Sequence, residues 1–125
     1  MIDHISVGVS NLDRSAKFYE TTLTALGLTR LVTRPRTIGF GKAYPEFWIN
    51  LREAMPPVAA ESGVHICLRA KTVAEVDAFH AAAVANGGAS DGAPGLRPHD
   101  RVRYYAAFVV DPDGNRIEAV TFPSE

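Results

Sequence analysis

Shifted along itself by 61 residues, the chain meets its own pattern: His4-Ile5 falls on His65-Ile66, Phe18 on Phe79 and Gly27 on Gly88. Identities are few, and what repeats is the order of physical features. Each copy opens on a short alternating strand, enters an amphipathic helix and closes at a glycine. A chain written this way has to bury two helices against two sets of strands, because an apolar helical stripe must be covered by something.

In the first copy Ile5, Val7 and Val9 share one strand face, and His4, Ser6 and Gly8 the other. Ser10 with Asp13 has capping-box spacing, so Ser10 is the expected N-cap. Leu12, Ala16, Tyr19, Leu23 and Leu26 form the helical stripe, which Gly27 ends by taking a left-handed conformation. The second copy sets Ile66, Leu68 and Ala70 against His65, Cys67 and Arg69, and caps with Thr72 and Glu75. Its stripe is Val73, Val76, Phe79 and Ala83, stopped by Gly87-Gly88.

Further strands are expected at Leu28 to Thr33, Thr37 to Phe40 and Glu46 to Leu51, then at Arg103 to Val110 and Arg116 to Thr121. Asp111-Pro112-Asp113-Gly114-Asn115 reads as a tight hairpin turn, with proline presetting φ and Gly114 taking positive φ. Glu53 to Gly63 is the linker, so module one spans about 1–52, the linker 53–62 and module two about 63–125. Ala89 to Asp100 reads as an irregular loop near a sheet edge, a place for a lid or a partner contact.

A chain of 125 residues is one domain's length and can bury a real core. Thirteen Lys and Arg against fourteen Asp and Glu, with no basic block, argue against a nucleic-acid partner. No apolar run approaches the ~20 residues a transmembrane helix needs. MIDHISVGVS lacks the features of a signal peptide, and Cys67 stands alone, so the expectation is a cytoplasmic protein without disulfides.

Strand parity then gathers chemistry. With the apolar faces turned to the helices, the opposite faces hold His4 and His65 at matching points, Glu118 on the last strand, and Trp48 and Asn50 on the strand before the linker. Two imidazoles and a carboxylate suit a divalent metal, leaving positions open for water or substrate. Asn50 would offer only an amide oxygen. Each of these residues alone also fits a plainer role: a hydrogen-bonded strand histidine, or a solvated edge carboxylate.

At these residues the chain resembles the vicinal oxygen chelate superfamily, which includes glyoxalase I, extradiol dioxygenases, and fosfomycin-resistance and bleomycin-binding proteins. The resemblance is carried by DHISVGVSNLDRSAKFYE, GVHICLRA and, most specifically, YYAAFVVDPDGNRIEAV. It implies an α+β fold of two tandem βαβββ modules forming a curved mixed sheet, an incomplete barrel, with helices on the outer face. It also implies a divalent ion (Fe, Mn, Ni or Zn) held by His4, His65 and Glu118. Asn50 stands where glyoxalase I is expected to have a glutamate, and an amide cannot accept a proton, so glyoxalase I activity is disfavoured.

The leading expectation is an enzyme whose metal chelates vicinal oxygens of a small-molecule substrate, by lyase, isomerase or dioxygenase chemistry. Glu118, His99, Tyr104 and Tyr105 are the catalytic candidates. Trp48, Asn50, Phe40, Arg69 and Phe108 are the pocket candidates, with Arg101 or Arg116 also able to meet an anionic group. The alternative is a metal-free, drug-sequestering protein of the bleomycin-resistance type. Cys67 is expected to be a buried, unreactive thiol. A homodimer is expected, because an unclosed barrel leaves strand edges to cover.

Overall fold

The computed structural model describes residues 1–124. Module one runs β1 (Ile5–Val9), α1 (Leu12–Thr24), β2 (Thr29–Arg34), β3 (Thr37–Gly41) and β4 (Pro45–Leu51). Module two runs β5 (Ile66–Arg69), α2 (Val73–Ala85), β6 (Ala89–Arg97), β7 (Tyr104–Val110) and β8 (Arg116–Thr121). The sheets have the same plan: β1-β4-β3-β2 and β5-β8-β7-β6, each with one parallel pair made by its first strand. Two βαβββ modules with no closed barrel confirm the expected fold. Among the described residues no helix is long and apolar enough to cross a membrane.

The helix-facing parity holds. Val9, Phe47, Ile49, Val109, Ile117 and Ala119 are fully or nearly fully buried with α1 and α2 in one continuous core. α1 also buries Phe18, outside its expected stripe, because a second strip of the helix faces module two. There Gly88 makes room: a Cβ on it would run into the Phe18 ring and come within 2.8 Å of the Val110 oxygen and 2.9 Å of the Ala83 oxygen. The positive φ that ends α2 falls on Gly87 instead (95°), matching Gly27 (83°) after α1. The two glycines after α2 therefore divide two tasks, conformation and closeness.

Two local expectations are corrected. Asn11, not Ser10, caps α1, its Oδ1 accepting from the Arg14 N–H at 3.0 Å. Ser10 is drawn off by Asp113, to which it donates from its backbone N–H (3.1 Å) and its hydroxyl (2.5 Å). Ala89–Arg97 is a strand rather than a loop. It pairs with β7 by shifting register between Ser90 and Gly92 and again between Gly92 and Gly95, and the second shift accommodates Pro94, which has no N–H to give the ladder.

The Asp111–Asn115 turn does more than close a hairpin. Asp111 is buried, and its carboxylate accepts from the Asp113 and Asn115 N–H groups (2.9 and 2.8 Å), the Asn115 side chain (2.8 Å) and the Tyr19 hydroxyl of α1 (2.6 Å). Asn115 also donates to the Gly8 carbonyl in β1 (2.9 Å), and Val58 of the linker donates to the Asp113 carbonyl (2.8 Å). Gly114 (φ 96°) has the Val58 oxygen only 2.6 Å from where a Cβ would lie. Burial raises the Asp111 carboxyl despite its donors, and burial with the neighbouring Asp111 raises the Tyr19 phenol, so Tyr19 stays a donor. A raised carboxyl favours the fold most at acid pH and less as pH rises through its folded titration.

Asp111→Ala orphans four donors and is expected to cost about 3 kcal/mol, against about 1 kcal/mol for Tyr19→Phe, as read by urea denaturation midpoints. Equal effects would mean that the carboxylate does not organise the turn. Gly88→Ala is expected to cost about 1–3 kcal/mol through overpacking against Phe18, and Phe18→Leu in the same chain should recover part of the loss.

Candidate functional site

On β5, β7 and β8 the register sets Cys67, Phe108 and Glu118 side by side on the face turned away from the helices. Glu118 is 2% exposed, yet no lysine or arginine among the described residues pairs with it. One carboxylate oxygen faces the His65 Nε2 at 3.1 Å, and the other accepts the Tyr104 hydroxyl. Burial, then the bond to Glu118, raises the Tyr104 phenol and keeps it an O–H donor at neutral pH. Cys67 is exposed rather than buried as expected, and burial of its sulfur followed by the charge of Glu118 pushes the thiol up to about 12. Both effects disfavour the reactive thiolate.

Around this centre lies a ring of aromatic groups. The His99 ring stacks on Tyr104 (5.9 Å, 8° between planes), and Phe122 meets Tyr104 edge-on at 5.5 Å. The N–H groups of Arg101 and Val102 donate to His99 Nδ1 (3.1 and 3.3 Å), which leaves the ring proton of a neutral His99 on Nε2. Arg69 lies over the Phe122 ring at 4.5 Å, and Arg97 over Phe108 at 5.4 Å.

The first sheet carries Trp48 and Asn50. Asn50 Oδ1 accepts the Thr37 hydroxyl at 2.5 Å, which turns its amide donors outward. Trp48 lies beneath Arg34 (5.7 Å) and over Gly39, where a Cβ would sit 2.9 Å from the indole. Register changes the comparison between modules. Ser6 opposes Trp48 as Cys67 opposes Glu118, so the first-module counterpart of Glu118 is Trp48, and Asn50 corresponds to Val120. Neither Trp48 nor Asn50 is a base.

His4 lines a cleft of about 380 Å³ together with His65, Cys67 and Glu46, but its ring is half-exposed and bonds to Asp3 at 2.7 Å. Among the described residues no three His, Cys, Asp or Glu side chains converge closely enough to hold a metal ion. Two other candidates lie elsewhere. Phe40 is fully buried on the helix side because it pairs with the core residue Phe47. Tyr105 points to α2, where its hydroxyl donates to Asp77 at 2.6 Å. Arg116 is engaged by Asp91 at 2.6 Å. Phe122 and Arg103 were missed, although Phe122 continues the parity of Glu118 and Val120.

The fold has counterparts among known proteins. The family model of the glyoxalase/bleomycin resistance protein/dioxygenase superfamily matches residues 1–119. The chain belongs to that superfamily. A glyoxalase/bleomycin resistance protein from Albidiferax ferrireducens T118 is 34% identical, with 94% of this chain and 96% of that one covered and a TM-score of 0.83. The fosfomycin resistance protein FosX from Listeria monocytogenes (17% identical, 96% and 91% covered, TM-score 0.67) shares the fold. So does a lactoylglutathione lyase from Agrobacterium tumefaciens (20% identical, 96% and 92% covered, TM-score 0.65). No protein of curated function matches.

Tyr104→Phe removes a donor from a buried carboxylate and is expected to cost about 1–2 kcal/mol of stability. His65→Ala, whose ring is half in water, should cost less than about 1 kcal/mol. Urea titrations that reverse this order would deny Tyr104 its role in holding Glu118.

Proposed function

We propose that the chain is a divalent-metal-dependent enzyme of the glyoxalase/dioxygenase type, acting on a small molecule with vicinal oxygens through the polar face of module two. The observation that carries this reading is Glu118: a buried carboxylate, neighboured by an imidazole and a phenol, with no arginine or lysine among the described residues to balance it. Buried charges are paired or coordinate a cation. His65 and Glu118 supply a nitrogen and an oxygen donor already in contact, and His4, on the shared cleft, supplies a third by rotating away from Asp3. These donor types fit Fe, Mn, Ni or Zn. A bound ion of this kind acts as a Lewis acid toward chelated oxygens.

The residues divide the remaining work. Tyr104 holds a proton beside the Glu118 oxygen and presents the neutral donor closest to the proposed reacting end. Asn50 offers amide donors to a substrate oxygen, and Trp48 and Phe108 give apolar walls. With Trp48 in the register place of Glu118, the two-carboxylate proton relay of glyoxalase I is missing one member, which favours lyase or dioxygenase chemistry. The second reading, a metal-free binding protein of the bleomycin-resistance type, is favoured by one observation: the hydrogen bond that holds His4 to Asp3.

The solitary Cys67 supports a cytoplasmic setting. The outer strands β2 and β6 end their sheets unpaired, which supports a homodimer. Sedimentation should then give twice the 13.5 kDa chain mass.

Protein purified without a histidine tag is expected to carry about one equivalent of a first-row metal, lost in His65→Ala and Glu118→Gln. Metal-free protein that cannot be loaded, together with tight binding of an aromatic ligand, would overturn the enzyme in favour of the sequestering protein.

A further inference from the structure

Beside the Tyr104–Glu118 pair the chain forms a second concavity of about 460 Å³, lined by His99, Asp100, Arg101, Val102, Arg103, Phe122, Pro123 and Ser124. Its wall is built. His99 Nδ1 gathers the N–H groups of Arg101 and Val102, and this bends the Pro98–Arg103 connection so that both arginines line the hollow. The His99 ring is itself fixed against Tyr104, and Phe122 closes the other side with Arg69 flat over its ring.

The charge there is lopsided. Arg69, Arg101 and Arg103 make no ion pair with any described residue, a state they share with Arg34, Arg52 and Arg97 elsewhere on the surface, but only here do two such arginines line one hollow. Among the described residues that line it the one acid, Asp100, is almost wholly exposed and 3.7 Å from His99. Guanidinium groups match oxyanions in geometry, forming paired hydrogen bonds to carboxylate or phosphoryl oxygens, and aromatic faces accept the planar part of the same molecule.

We infer that this hollow is an anion subsite: it takes the carboxylate or phosphoryl group of a substrate that carries a planar or unsaturated portion, bound by Arg101 and Arg103 with Arg69 at its edge. The inference rests on the proposed function in one respect, that the far end of such a substrate reaches Tyr104 and Glu118. The substrate class is thereby narrowed to small organic oxyanions. Neutral compounds of the same shape lose the arginine contacts and bind weakly.

The test uses phenylphosphonate and its neutral analogue benzyl alcohol, titrated calorimetrically into the full chain and followed by the amide resonances of Arg101 and Val102. Phenylphosphonate is expected to bind at least about tenfold more tightly than benzyl alcohol and to weaken as salt is raised. It should lose about tenfold or more in the Arg101→Gln/Arg103→Gln double variant, whose exposed side chains can be replaced without unfolding the chain, as circular dichroism would verify. His65→Ala, which strips the proposed metal donors, should leave phenylphosphonate binding unchanged. Equal binding of both probes, no binding of either, or full retention in the double variant would overturn the subsite. Loss in His65→Ala with retention in the double variant would also overturn it, placing the anion at the metal donors. Arginine-dependent binding by a protein that takes up no metal would uphold the subsite and defeat the metal-enzyme reading instead.

Discussion

Everything on the polar face depends on a buried carboxylate that never touches it. Asp111 accepts four hydrogen bonds in the turn between β7 and β8, one of them from Tyr19 of the opposite module. Its neighbours extend the grip: Asp113 takes Ser10 and Arg14, and Asn115 takes the Gly8 carbonyl. The end of β1, the start of α1 and the start of β8 are thereby pinned within hydrogen-bond length of one another. The cost of burying the charge is visible in the raised Asp111 carboxyl, and the donors offset it. Apolar packing between the helices is non-directional. The carboxylate network is directional, so it fixes how the modules sit.

Both modules have sheets of the same strand order, and their side chains differ. At equivalent register positions module one has Gly39 beside Trp48, where module two has Phe108 beside Glu118. The large aromatic has changed strands. In module one the indole spreads over a glycine and fills the polar face, while in module two the phenylalanine leaves room for a carboxylate on the neighbouring strand. Asymmetry of chemistry thus follows from an exchange of volume between two adjacent strands, within sheets of the same strand order.

Much of this was legible in the sequence because it obeys short periods. Alternation in Ile5–Val9 and Ile66–Arg69, the three–four spacing of Ala16, Tyr19 and Leu23, and Gly27 and Gly114 at positive φ are local statements, and each survives in the structure. The errors came where a distant partner outbid a local rule. Ser10 has an N-cap's chemistry but is taken by Asp113, more than a hundred positions away. Ala89–Arg97 has the glycines and proline of a loop, yet β7 supplies a ladder that bulges around them. Tyr105 follows Tyr104 in sequence, and parity sends the two to opposite faces, one to Asp77 and one to Glu118. In the site, the His65–Glu118 contact was foreseeable from parity, whereas the bond of His4 to Asp3 is a choice of side-chain rotamer that no pattern encodes.

The division of charge on module two follows from the same geometry. Glu118 is buried and capped by neutral or weakly basic groups, while the arginines sit outside it, beyond the Tyr104–Phe122 edge. Were Arg69 to reach Glu118, the carboxylate would be neutralised in an ion pair and lost to chemistry. Instead that guanidinium lies over the Phe122 ring, 4.5 Å from its centroid, and stays exposed. The aromatic edge therefore lies between the two groups: the buried carboxylate on one side, and the exposed arginines on the other. A molecule with an oxyanion at one end would be oriented by the arginines, its other end lying toward Tyr104 and Glu118.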